Sequence, residues 1–213
     1  MKALLFFLPA LALGIAIPLL VVNQTRTYEL TPSRTTPPLH TRFSLSEAPA
    51  DSLRATITRL SGEVTWESRT ASSASPLTAP RILQQGEILT TGQSGTASLT
   101  LADTCSITLS PDTELNLIQT LPANIVLEIP LGKITSEKKC SEPISIRSLH
   151  LLLSQIEGTL QFSVMDDGTI IIAITDGSAQ VAFNNTDNVS TVLTINTGET
   201  LTYDDSTRTT DIE

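Results

Sequence analysis

Gly86-Glu-Ile-Leu-Thr-Thr-Gly92-Gln-Ser-Gly95-Thr-Ala-Ser-Leu-Thr-Leu101 is the stretch on which the fold reading turns. Ala97, Leu99 and Leu101 alternate with Ser98 and Thr100. Successive side chains of an extended backbone point to opposite faces, so this period of two marks a strand with one face buried and one in water. Alternating segments, several led by glycine, extend outward from it in both directions. Upstream, Val64 and Trp66 share a face against Glu63 and Thr65. Downstream come Ile107 with Leu109, Leu115 with Leu117, Ile125 to Ile129 and Ile144 to Ile146. Leu149, Leu151 and Leu153 then alternate with His150 and Leu152, and Leu160, Phe162 and Val164 form another inward set. Ile170 to Ile174 is nearly continuous, which predicts burial on both faces. Ala179 to Phe183, Leu193 with Ile195, and Leu201 with Tyr203 complete the series.

Turn chemistry separates these runs. Asp166-Asp167-Gly168 predicts a hairpin between Val164 and Ile170. Asp176-Gly177, Asn184-Asn185 and Ser110-Pro111-Asp112 read as further turns. Gly62-Glu-Val-Thr-Trp66 is echoed after 24 residues by Gly86-Glu-Ile-Leu-Thr90, and Gly177-Ser-Ala-Gln-Val181 after 21 by Gly198-Glu-Thr-Leu-Thr202. Glycine ahead of a strand permits a tight bend where two sheets meet. No window sustains helical periodicity for three turns. The expectation is an all-β fold: a two-sheet sandwich or β-roll of about a dozen short strands.

Composition agrees. Of 213 residues, 16% are charged and 32 are threonine, which suits pleated, partly exposed surfaces. Net charge is −9, and residues 53–213 hold nine basic against nineteen acidic groups. Such a surface repels a phosphate backbone, so no nucleic-acid partner is expected.

Lys2 precedes an uncharged run from Ala3 to Val22. Twenty residues in a helix span roughly 30 Å, the depth of a bilayer core. A cleaved signal peptide would need a small-residue site behind a shorter apolar region. Ala10-Leu11-Ala12 comes too early, and Asn23-Gln-Thr-Arg26 offers none. Residues 1–22 therefore read as an uncleaved signal-anchor transmembrane helix, with Lys2 favouring a cytoplasmic amino end. The cleaved alternative also places the body outside the cytoplasm. Residues 23–52, with Pro32, Pro37, Pro38 and Pro49, read as a disordered stalk. Residues 53–205 form the β domain, and 206–213 a flexible tail. The expected location is a single-pass cell-membrane protein whose carboxyl-terminal domain is extracytoplasmic, either periplasmic or at the cell surface.

Taken in order, Gly62-Glu-Val64, Gly86 through Leu101, Gly158-Thr-Leu-Gln-Phe162-Ser-Val164 and Gly177-Ser-Ala-Gln-Val181 resemble the FecR-like periplasmic domain family. The resemblance covers roughly residues 56–203. Two departures stand out. There is one residue fewer between Gly92 and Ser94, and Asp103-Thr104-Cys105 stands where the family has an Asp-Gly-Ser turn. Members that regulate sigma factors carry a cytoplasmic segment ahead of the membrane helix, and here only Met1 and Lys2 precede the apolar run. The resemblance thus implies a stand-alone envelope domain that binds or senses something, without the sigma-regulating role.

Catalytic and metal signals are weak. His40 falls in the stalk and His150 on a strand, neither within ligand spacing of a cluster. No nucleotide, zinc-protease or nucleophile-elbow motif is present, and Ser94 between glycines is a turn residue. Asp166-Asp167 and Asp204-Asp205 lack a calcium loop. Lys138-Lys139 reads as an exposed loop. The expectation is no enzyme, no metal and no cofactor. Cys105 and Cys140 make an even count, which permits a disulfide in an exported chain. Asn23, Asn184 and Asn188 match glycosylation acceptors by chance in so Asn- and Thr-rich a chain. Trp66 is the best single anchor, for the core before a site.

The expected function is a membrane-anchored, non-enzymatic binding or sensing module of the cell envelope, contacting an envelope protein or a glycan through threonine-rich faces and sheet edges. A structural subunit of a surface assembly is the alternative. A glycosidase using paired carboxylates would need two of them about 5–10 Å apart in a cleft.

Overall fold

The computed structural model describes residues 47–213 apart from Asp103. The expected anchor (1–22) and stalk residues 23–46 lie outside the described residues. Among those described, no helix is long and apolar enough to cross a membrane.

Every regular element described is a strand. The first eight are β1 (Ala55–Ser61), β2 (Val64–Glu67), β3 (Ser75–Pro76), β4 (Ile82–Leu83), β5 (Ile88–Thr91), β6 (Thr96–Leu101), β7 (Cys105–Leu109) and β8 (Thr113–Leu121). The rest are β9 (Asn124–Glu128), β10 (Gly132–Lys138), β11 (Ile144–Ser148), β12 (Leu151–Val164), β13 (Thr169–Asn184), β14 (Ser190–Asn196), β15 (Thr200–Asp204) and β16 (Thr209–Ile212). All sixteen belong to one sheet.

That sheet has two halves joined through the long strands β12 and β13. In one half β4, β1, β6, β7 and β10 lead onto Gly158–Val164 of β12, then the start of β13, β15 and β16. In the other, β3, β2, β5, β8, β9 and β11 lead onto Leu151–Leu153 of β12, then the end of β13 and β14. Every pairing is antiparallel except β9 with β11. The halves fold over each other. Tyr203 pairs with Ile170, thirteen residues from Phe183 along β13, yet the Tyr203 and Phe183 ring centroids are 5.1 Å apart. A straight strand would separate those positions by about 43 Å. One hydrophobic core fills the fold, drawing Leu99, Ile107 and Phe162 from the first half and Leu117, Leu127 and Leu153 from the second.

The bend is made by register shifts in the β12–β13 ladder around Gln155 to Leu160. Here Gly158 and Gly177 sit at φ +80° and +88°, conformations that L side chains rarely adopt. A Cβ on Gly158 would collide with the Asp176 carbonyl, and one on Gly177 with that of Glu157.

The decisive stretch works the same way. It crosses from β5 in one half to β6 in the other through Gly92–Gly95, and the Gly92 N–H donates to the Glu63 carbonyl at 2.9 Å.

Several expectations are corrected. Strands among the described residues number sixteen, not about a dozen, and two are long because bulges carry them around the corner. Asp176-Gly177 therefore lies inside β13, beside the bulge at Thr175, rather than in a turn. Ile170 to Ile174 is buried on one face only, since Ile171 and Ala173 lie half-buried on the outer side. Leu149 and His150 form a turn ahead of β12, with Leu149 at φ 50°, because the leucine alternation runs on past the strand's end. The tail is ordered over Thr209–Ile212, where backbone pairing to β15 needs no apolar face. The stalk's last residues touch the domain, Ser52 Oγ donating to Gln85 Oε1 at 3.3 Å.

Candidate interaction surface

The outward side of the first half presents hydroxyls in rows. Register aligns Ser98, Thr108, Thr135, Gln161, Ala173 and Thr200 across β6, β7, β10, β12, β13 and β15. A parallel row holds Lys133, Ser163, Ile171, Thr202 and Asp211. Ser98 Oγ and Thr108 Oγ1 are 3.2 Å apart, so these two neighbours satisfy one another. Each hydroxyl both donates and accepts, and the charges of these rows, Lys133 and Asp211, stand at the two ends of the second. It can meet polar, uncharged groups such as sugar hydroxyls or another chain's backbone. These rows arise from six-strand register and have no local signature.

Trp66 is half-buried against the core, with the Arg81 guanidinium carbon 3.4 Å above its ring. That ring face is occupied by the cation, so the residue ties β2 to the segment just ahead of β4 by cation–π contact. Lys138 and Lys139 are ion-paired, to Glu157 at 3.1 Å and Glu137 at 2.6 Å. Cys105 and Cys140 are disulfide-bonded with Cα atoms 5.2 Å apart.

The two aspartate pairs lie side by side, joined by the Asp205 N–H donating to Gly168 O at 3.3 Å. Three of the four carboxylates are engaged in turns. Asp167 accepts from the Thr169 N–H at 2.9 Å, which holds its carboxyl below the usual range. Asp204 accepts from the Ser206 hydroxyl at 2.6 Å and the Ser206 amide at 2.8 Å, with the same effect. Asp205 Oδ1 takes the His150 amide at 3.1 Å and lies 3.0 Å from His150 Nδ1. No group of three or more His, Cys, Asp or Glu among the described residues is placed to hold a metal ion.

Burial, then the Asp205 charge, pushes the Tyr203 phenol up to about 12. A raised folded-state value means stability is whole below the unfolded value near 10 and falls as pH rises towards 12. Tyr203→Phe should therefore flatten the alkaline limb of a stability–pH curve measured in urea. An unchanged limb would contradict this.

The sequence reading did not single out Thr91 and Thr113. Thr113 N–H donates to Thr91 Oγ1 at 3.0 Å, Thr91 Oγ1 donates to Ser110 O at 2.6 Å, and Lys133 N–H donates to Thr113 Oγ1 at 2.9 Å. Both threonines are buried. Their hydroxyls complete the bonding where strands of the two halves part, a role invisible among so many threonines.

No family model and no curated protein matches this sequence. The structure is similar to two crystal structures of a candidate anti-sigma factor from Parabacteroides distasonis. The TM-scores are 0.50 and 0.52, each at 11% identity over 59% of this chain. The match spans 58% of the length of those chains, so what is shared is the fold of one part.

Proposed function

We propose that this chain is a membrane-anchored, extracytoplasmic, non-enzymatic binding or sensing module of the FecR type. The observation that carries the reading is the fold likeness to a candidate anti-sigma factor, over a chain whose glycine motifs follow the FecR-like order. The hydroxyl-lined outer face supplies a contact surface for an envelope protein or glycan. The apolar run Ala3–Val22 supplies the anchor.

The test expresses the full chain in a Gram-negative host with a photo-crosslinking amino acid at Thr135, in the middle of that face. The body should be digested by protease in spheroplasts and protected in intact cells, and Thr135 should capture an envelope component. A body protected in spheroplasts until they are lysed would refute the location. A digested body with no adduct at Thr135 would refute the contact face. The alternative, a structural subunit, is favoured by one observation, that β14 pairs only with β13 among the described residues.

A further inference from the structure

Among the described residues the curled sheet has four terminal strands, and three are guarded against pairing with another chain. β3 has two residues and contains Pro76, and β4 has two residues just after Pro80. β16 has four and carries Asp211. The part of β1 beyond β4 carries Arg59 and a register shift. Short length, proline, charge and bulges are the devices that keep sheet edges from adding strands. β14 has none of them. Its seven residues, Ser190-Thr-Val-Leu-Thr-Ile-Asn196, hold no charge and no proline.

Its ladder shows which groups are free. Asn185 N–H bonds Val189 O, and Thr197 N–H bonds Gly177 O, both at 3.0 Å. The period of an antiparallel pair then turns Thr191, Leu193 and Ile195 towards β13. Ser190, Val192, Thr194 and Asn196 turn their backbone groups outward. The Asn196 N–H is taken by Glu199 Oε2 at 2.7 Å. Among the described residues this leaves Ser190, Val192 and Thr194, a set centred on Val192.

We propose that β14 docks antiparallel on β14 of a second copy of this chain, with the two-fold axis at Val192. Pairing Val192 with itself and Ser190 with Thr194 uses every free outward group in six backbone hydrogen bonds, and no other register does. The side chains agree. Leu152, Ala182 and Val192 form one outer row across β12, β13 and β14, and Val192 is 61% and Leu152 40% exposed. In the dimer this apolar row meets its own mirror, valine against valine, as an interface between identical surfaces requires. The domain is acidic, but the joined residues Ser190 to Thr194 are uncharged, and the Glu199 carboxylate on this edge lies beyond them, at Asn196. This goes beyond the binding role and does not depend on what the outer face contacts.

The test uses the full chain in detergent. Wild type should sediment as a reversible monomer–dimer pair. V192K, which places two ammonium groups on the axis, should weaken the dimer tenfold or more. V192C should form a disulfide-linked dimer under mild oxidation, whereas S190C, set apart by the register, should not. A monomer at every concentration would overturn the proposal. So would a dimer untouched by V192K, or equal cross-linking of S190C and V192C. If V192K alters the circular dichroism spectrum, the cysteine pair decides.

Discussion

Gly177→Ala should cost about 4 kcal/mol, or prevent folding, while Gly198→Ala should cost only ~1 kcal/mol. The two glycines have nearly the same backbone conformation, φ +88° and +87°, so strain from an added Cβ is common to both. Their surroundings differ. A Cβ on Gly198 meets nothing within 4 Å, whereas on Gly177 it would enter the Glu157 carbonyl and crowd Gly158. That obstacle is backbone of the neighbouring long strand, at the level where both strands turn the corner, so no rotamer change relieves it. Moving it would open the ladder that joins the two halves of the sheet. Urea unfolding of both variants isolates the excess, about 3 kcal/mol, as the cost of separating β12 from β13. Equal losses would mean that close strand approach does not hold the corner.

The same corner shows where sequence reading stops. The alternation in Ala97–Leu101 and Leu160–Val164 is fixed by pleat geometry within a few residues, and those strands lie where the pattern puts them. Asp176-Gly177 advertises a positive φ, but a hairpin turn and a bulge both need one. The outcome depends on whether the flanking runs pair with each other or with a third strand. Here both lie against β12, so the chain continues. The strand pattern overruns His150 because leucines at 149, 151 and 153 keep time through a turn. The final strand has no local signal because the Asp204 side chain, accepting from Ser206, closes its turn without a glycine. The hydroxyl rows depend on the mutual register of six strands, a long-range property. Trp66 offers a local cue without an outcome, since Arg81, which covers it, lies fifteen residues away.

Removing the Cys105–Cys140 bond should be the second large effect. The pair closes a loop of 35 residues in sequence separation, worth about 3–4 kcal/mol in restricted entropy of the unfolded chain. That is a quarter or more of a typical domain's stability. Its position adds a reason. Most passages between the halves turn at a glycine, but those from β3 to β4, from β7 to β8 and from β10 to β11 have none, and the last runs through residues 139–143. Cys140 is held there instead by Cys105, buried at the start of β7, whose Ser106 pairs with Glu137 of β10. The bridge thus continues the β7–β10 ladder beyond its last backbone pair. Cys105→Ala with Cys140→Ala should lower the urea midpoint in step with that loss, and wild type under reductant should follow it. Thiol titration of the native, unreduced chain should find no reactive cysteine. Two reactive thiols, with a midpoint indifferent to reductant, would remove the bond from the account. Rapid alkylation in growing cells extends the measurement to location. A bond already formed before lysis places the body in an oxidising compartment, and a reduced pair would count against the extracytoplasmic reading.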